Sequence, residues 1–196
     1  MSERSEGVLH DSTSADLLAA VRRFNDFAMR WHTEESTEAA AREGIAAKAL
    51  YLHALNFALW HHEDAVRRPG TDAQEVARRK RCIDEVNARR NAAIEDLDAN
   101  VLDRVDLNPN APLHTETPGT IVDRLSVLAL RIVHTNRDDQ PGARLAVLDE
   151  QHEDLFGGLE RLLARMQAGE VRFKVYRQFK SAAQRSYCDL FENYHP

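Results

Sequence analysis

Cysteine is nearly absent: Cys82 and Cys188 stand alone in 196 residues, with no C-x-x-C pair. That excludes a disulfide framework and a cysteine-rich zinc module, and leaves two reduced, packed thiols. An excess of positive charge is also missing. The formal net charge is −6, with acids and bases interleaved along the chain. A dedicated nucleic-acid or membrane-surface protein would carry a basic patch or a basic amphipathic face. No apolar run approaches the roughly 18 residues of a membrane span. The opening MSERSEGVLH has neither the basic nor the apolar region of a signal peptide. The expected location is therefore cytoplasmic. Alternating β-branched runs are scarce, and neither a repeat at fixed period nor a low-complexity segment occurs. There is no H-E-x-x-H, P-loop, G-x-G-x-x-G or G-x-S-x-G motif.

What is abundant is alanine, leucine, arginine and glutamate, all helix formers. The clearest helix is TPGTIVDRLSVLALRIVHT, Thr117 to Thr135. Thr117 can cap it, and Pro118 suits the first helical position. Ile121, Leu125, Leu128 and Ile132 form one apolar row, and Val122, Ala129 and Val133 form the next. A helix apolar nearly all round belongs inside a bundle. Asp123, Arg124 and Ser126 interrupt its first turns, and a buried charge there must be paired or working.

Around this central helix the chain reads as follows. Residues 1–12 form a loose tail, and 13–196 one bundle domain. A first helix spans about Ser14 to Trp31, with Leu17, Val21, Phe24 and Ala28 in its stripe. A second runs from about Thr37 to Arg68 and stops at Pro69-Gly70. Thr71 to Gln74 is a capping-box pattern that opens a third, reaching about Arg104. Asp84, Asn87, Asn91, Glu95 and Asp98 make a polar stripe on it; a solvated face is the plainer reading, and two asparagines inside a helix tip the balance slightly towards a stripe that meets other polar groups. An irregular connection over 105–116 delivers His114 and Glu116 to the start of the central helix. Another helix follows over about Ala143 to Ala168, where Gly157-Gly158 marks a bend or a close approach, and Gly169 stops it. The aromatic and basic stretch 170–196 suits a closing helix. The fold class is all-α: a single-domain bundle of five to six helices around a buried central helix at about 118–135.

Two constellations carry chemistry. In Trp60-His61-His62-Glu63-Asp64, His61 and Asp64 share a helix face. An imidazole beside a carboxylate makes an acid–base pair or offers two metal ligands; ordinary salt bridges at a helix end are the plainer alternative. In Asp123-Arg124-x-Ser126, with Glu116 just before, Arg124 suits an anionic group and Asp123 a base or ligand. A structural Asp–Arg clamp is the competing reading. Di-iron bundles need two Glu-x-x-His elements, and Asp149-x-x-His152 is the nearest approach. Glu95-x-x-Asp98 has a magnesium-binding spacing that many solvated helices share. A divalent metal is left open but not favoured, and no cofactor is assigned.

Several segments together resemble a bacterial family catalogued as domain of unknown function 4254. They are Trp60, His61, Glu63 and Asp64; Lys80, Arg81, Ile83, Asp84 and Asn87; Thr115, Glu116 and Pro118 leading into Asp123, Arg124, Leu125 and Ser126; and Lys174, Val175, Tyr176, Arg177, Gln178 and Lys180. The similarity covers about residues 50–180 in register. It departs at His114, where the family has Asn, and at Ser181-Ala182, where a Tyr-Asn pair is usual. The resemblance implies a helical bundle and no particular reaction. Its members' placement beside glycosyltransferase and surface-polysaccharide genes implies a link to glycan or other secondary biosynthesis.

The combined expectation is one polar cleft between helices that serves a small-molecule biosynthetic enzyme acting on an anionic or sugar-linked substrate. His61, Glu63, Asp64 and Asp123 would do acid–base work. Arg124, Lys80, Asp84, Glu116, Lys174, Tyr176 and Lys180 would hold the substrate. The alternative is a non-catalytic scaffold for a biosynthetic enzyme. The expected partners are a small-molecule substrate and, left open, a second copy of the chain in a homodimer, with no nucleic acid and no membrane.

Overall fold

Six helices and no strand make up the architecture of the described residues: α1 Glu6–Arg22, α2 Phe24–Arg30, α3 Ile45–Arg67, α4 Ala73–Leu102, α5 Pro118–Thr135 and α6 Gly142–Gln167. The computed structural model describes residues 6–33, 44–136 and 142–176. None of the helices is long and apolar enough to cross a membrane. The all-α bundle expected from the sequence is the observed fold.

α5 lies at its centre. Ile121, Val122, Leu125 and Ala129 enter the main core with Leu17, Val21 and Phe24 of the N-terminal helices, Leu52 of α3, Leu97 of α4 and Leu159 of α6. α3 packs chiefly on α4, and α5 chiefly on α6. Thr117 caps α5 as expected: its hydroxyl accepts from Thr120 N–H, and Thr120 Oγ1 accepts from Thr117 N–H at 3.0 Å. Two of the first turn's free donors are thereby satisfied.

The other boundaries differ in instructive ways. α1 starts at Glu6, inside the stretch expected as tail, and the chain breaks at Arg23 before α2. The single helix expected over 14–31 is thus two. α3 begins at Ile45 behind Gly44, which adopts φ 108°, and residues 37–43 of the expected second helix lie outside the described residues. The cap of α4 is Asp72, whose side chain accepts from Glu75 N–H at 2.8 Å. Thr71 instead donates its hydroxyl back to Arg68 O at 2.8 Å. The carboxylate is a full negative charge at a helix N-terminus, so it outcompetes the neighbouring hydroxyl. Gly157 and Gly158 do not interrupt α6. Gly169, at φ 69°, ends it in the left-handed conformation that glycine adopts freely. Past it the chain is extended rather than helical. Arg172 pairs with Leu113 in a parallel bridge, His114 N–H donates to Arg172 O at 2.7 Å, and Arg172 N–H to Pro112 O at 3.1 Å. Backbone pairing with the 111–114 loop satisfies groups that a helix would have bonded internally. The rest of the expected closing helix, 177–196, lies outside the described residues.

Candidate functional site

α5 carries a polar network into the core. Asp123, 6% exposed, receives Arg90 from α4 through both carboxylate oxygens, Nε at 2.7 Å to Oδ1 and a second nitrogen to Oδ2. Asn56 of α3 spends its two amide hydrogens on Asp123 Oδ1 (2.9 Å) and Ser126 Oγ (3.0 Å). His53, fully buried, faces the Phe24 carbonyl through Nε2 at 2.9 Å. A carbonyl only accepts, so the proton sits on Nε2 and Nδ1 is an acceptor. Ser126 donates its hydroxyl there at 2.7 Å. The network therefore has one consistent set of proton positions from Phe24 to Arg90. Burial holds His53 well below the ordinary imidazole value, at about 3, despite the helpful carbonyl. It is neutral at pH 7, stacked on Phe24 at 4.3 Å.

Where this network meets solvent there is a cleft of about 600 Å³ between α4, α5 and α6. Arg90, Arg124 and Arg131 line it with Asp123, Gln151 and Asp154. Val127, Leu128 and Leu155 form its apolar wall. Three of these residues, Arg124, Val127 or Leu128, and Arg131, share one face of α5 at steps of three and four. The arginines are not equivalent. Arg90 is committed to Asp123, and Arg124 to Glu116 at 2.6 Å. Arg131 is exposed and has no ion-pair partner among the described residues. Among the two carboxylates the same contrast holds: Asp123 has both oxygens occupied, whereas Asp154 is exposed with no ion pair to a described residue.

The start of α5 is pinned from α4. Asp98, 3% exposed, accepts from Gly119 N–H at 2.6 Å. Burial raises its carboxyl to about 6, against the hydrogen bonds from Thr117 and Gly119 that favour the charge. The polar stripe of α4 thus ends in a buried group that meets polar partners on another helix.

The family described as "Protein of unknown function (DUF4254)" matches residues 46–175. The chain belongs to this family. No curated protein and no solved structure matches it. The match runs from α3 to the extended segment after α6, so it takes in every residue of the cleft.

In this family member the expected site residues fall into separate groups. Asp123 and Arg124 line the cleft, and Glu116 reaches it only through its ion pair with Arg124; Asp123 pairs with Arg90 rather than Arg124. His61, Glu63 and Asp64 do not line it. His61 sits near the end of α3 among Phe57, His32 and His134, with ring centroids 4.5, 5.0 and 5.6 Å away. Its neighbour His134 is eleven residues beyond Asp123 on α5, about 16 Å at 1.5 Å per residue. The two constellations expected in a single cleft therefore lie in two separate regions along α5, with Arg131 of the cleft one turn before His134. Glu63 pairs with Arg67 one turn on, at 3.3 Å, and Asp64 is half-buried. Lys80, Asp84, Lys174 and Tyr176 are exposed and line no part of the cleft. Lys180 lies outside the described residues. Sequence reasoning missed Arg90, Arg131, Gln151 and Asp154. Asp123 in an apolar helix announced that a cation was needed, but α4 offers several arginines, and only the packing angle selects Arg90.

Proposed function

We propose that the cleft between α4, α5 and α6 binds an anionic, sugar-linked small molecule, and that the chain acts on it as a biosynthetic enzyme. The observation that carries this reading is the Arg131 guanidinium, without an ion-pair partner among the described residues, beside two pre-formed ion pairs. Arg90 and Arg124 are held in place by carboxylates, which leaves outward N–H groups already oriented for an anion. Gln151 and Asp154 add the donors and acceptors that sugar hydroxyls require, over an apolar wall that suits a ring face. Acid–base work at this cleft falls to Asp154, which has no ion pair among the described residues, rather than to Asp123, both of whose oxygens already accept hydrogen bonds. That assignment replaces the expectation that His61, Glu63 and Asp64 act here.

The test is calorimetric titration of the full chain with inorganic pyrophosphate and with a sugar nucleotide. Arg131→Ala is expected to weaken binding about ten- to hundredfold, the usual worth of a charge-assisted hydrogen bond, with the melting temperature unchanged. Absence of binding by both probes, or equal affinity in the variant, defeats the reading. A scaffold role is favoured by one observation of its own: Asp123, Asn56, Ser126 and His53 bond to one another, to Arg90 and to the Phe24 carbonyl, so the buried part of the network has structural partners. A chain that binds neither probe but co-purifies with an intact biosynthetic enzyme supports that second reading.

A further inference from the structure

Away from the cleft, three histidines from three elements converge: His32 in the turn after α2, His61 on α3 and His134 on α5. One ring nitrogen from each lies within 4.8 Å of the other two. The ring centroids are 5.0 Å apart for His32 with His61, 5.0 Å for His32 with His134, and 5.6 Å for His61 with His134. Their planes cross at 74°, 68° and 62°. The rings meet edge to face instead of stacking, and one nitrogen of each lies in the space the three share. His32 shows which nitrogen is offered. Its Nδ1 lies 2.6 Å from the Ala28 carbonyl, so Nδ1 carries the proton and donates it. The other nitrogen, Nε2, then presents a bare lone pair, and it is buried with no hydrogen-bond partner among the described residues. A backbone carbonyl that fixes the tautomer and aims the ring is the usual support behind a metal-bound histidine. Apolar groups hold the cluster in position: Trp60 stacks on His134 at 4.7 Å and 16°, and Phe57 lies edge-on to His32 at 5.0 Å and 79°. All three histidines are half-buried.

We propose that His32, His61 and His134 form a transition-metal site, separate from the anion cleft. Three neutral imidazoles and no carboxylate suit Zn²⁺ or its spectroscopic substitute Co²⁺ and disfavour Mg²⁺, Ca²⁺ and Mn²⁺, which prefer oxygen. Zn–N bonds of about 2.0–2.1 Å put tetrahedral ligand nitrogens roughly 3.3 Å apart. Small side-chain rotations that draw the rings inward by about an ångström reach that geometry. Three protein ligands leave a fourth position for water or another small ligand. His32 comes before the part of the chain that matches the family, so this site joins the family region to the N-terminal helices.

The test uses tag-free, chelator-stripped full-length protein. Co²⁺ titration is expected to give one equivalent bound at micromolar affinity or tighter, with an intensified visible spectrum of four-coordinate nitrogen ligation. Zn²⁺ should displace it and raise the melting temperature by several degrees. His61→Ala and His134→Ala should each weaken binding at least tenfold, and the metal-free melting temperature of each variant separates a lost ligand from a lost fold. A variant that fails to fold leaves the wild-type Co²⁺ spectrum as the deciding measurement. A spectrum like that of hydrated Co²⁺, no retained metal, or wild-type affinity in the folded variants overturns the proposal.

Discussion

At the scale of single residues, two buried titrating groups push stability in opposite directions with pH. His53 titrates near 3 in the folded chain and near 6.5 as a free imidazole, because burial disfavours its charge. The unfolded chain therefore takes up the proton first. The contribution of neutral His53 is complete above about pH 6.5 and is lost as the pH falls towards 3. Asp98 is raised by burial from 3.8 to about 6. Here the folded chain holds the proton longer, so stability is greatest below about pH 4 and declines as the pH rises to 6. Between pH 4 and 6 the two slopes oppose each other, each at most about 1.4 kcal/mol per pH unit. Asp98→Asn keeps an oxygen for Gly119 N–H and removes the titration. The variant should show stability that falls steadily from pH 6 to pH 4 where the wild type is nearly flat. Urea unfolding at three pH values in this window checks it, and parallel pH profiles for the two proteins would refute the account.

At the scale of elements, α4 and α5 approach closely at Gly119. A Cβ on Gly119 would lie 2.7 Å from Ile94 O, 2.8 Å from Asp98 Oδ1 and 2.9 Å from Asp98 Cγ. The first of these is backbone inside a long helix and cannot swing aside. Gly119→Ala should therefore cost about 1–3 kcal/mol by overpacking, even though alanine is the better helix former. A denaturation midpoint at or above that of the wild type would show that the helices can part. This junction also marks how far the sequence could be read. Thr117, Pro118 and the apolar rows of α5 encode a capped, buried helix locally, so its bounds were legible. Gly119 in the same stretch gave no sign of its role, because what forbids a side chain there is a carbonyl of another helix. Asp72 over Thr71 as the cap of α4 was a contest between adjacent residues that charge decides. The extended 171–176 segment was misread for the opposite reason: its composition suits a helix, but its partner is a loop some sixty residues earlier. The site followed the same division. Residues on α5 were legible from the cost of burying charge in an apolar helix, whereas Arg90 from α4, Asp154 from α6 and the meeting of His32 with His61 and His134 depend on which helices touch.

For the whole molecule, α5 is the shared wall of two regions, and the Asp123–Arg90 pair ties it to α4 at the cleft. That pair constrains the bundle, because Asp123 is almost fully buried whereas Arg90 is only partly so. Removal of the cation alone strands a carboxylate in the core. Arg90→Met, which keeps the side chain's apolar length, should cost about 3 kcal/mol. In a chain of this size that corresponds to a fall in melting temperature of roughly 6–12 °C. Asp123→Asn in the same background removes the stranded charge and keeps an acceptor for Asn56. The double variant should recover much of the loss, whereas independent sites would add their costs. The comparison separates two views of the network. If the double variant is the more stable of the two, the pair serves mainly to satisfy a charge that the cleft requires on α5, and the fold itself would tolerate an uncharged replacement. If the losses add instead, Arg90 supports the bundle through its packing between α4 and α5, and Asp123 contributes to stability through Asn56 and Ser126 rather than through its charge.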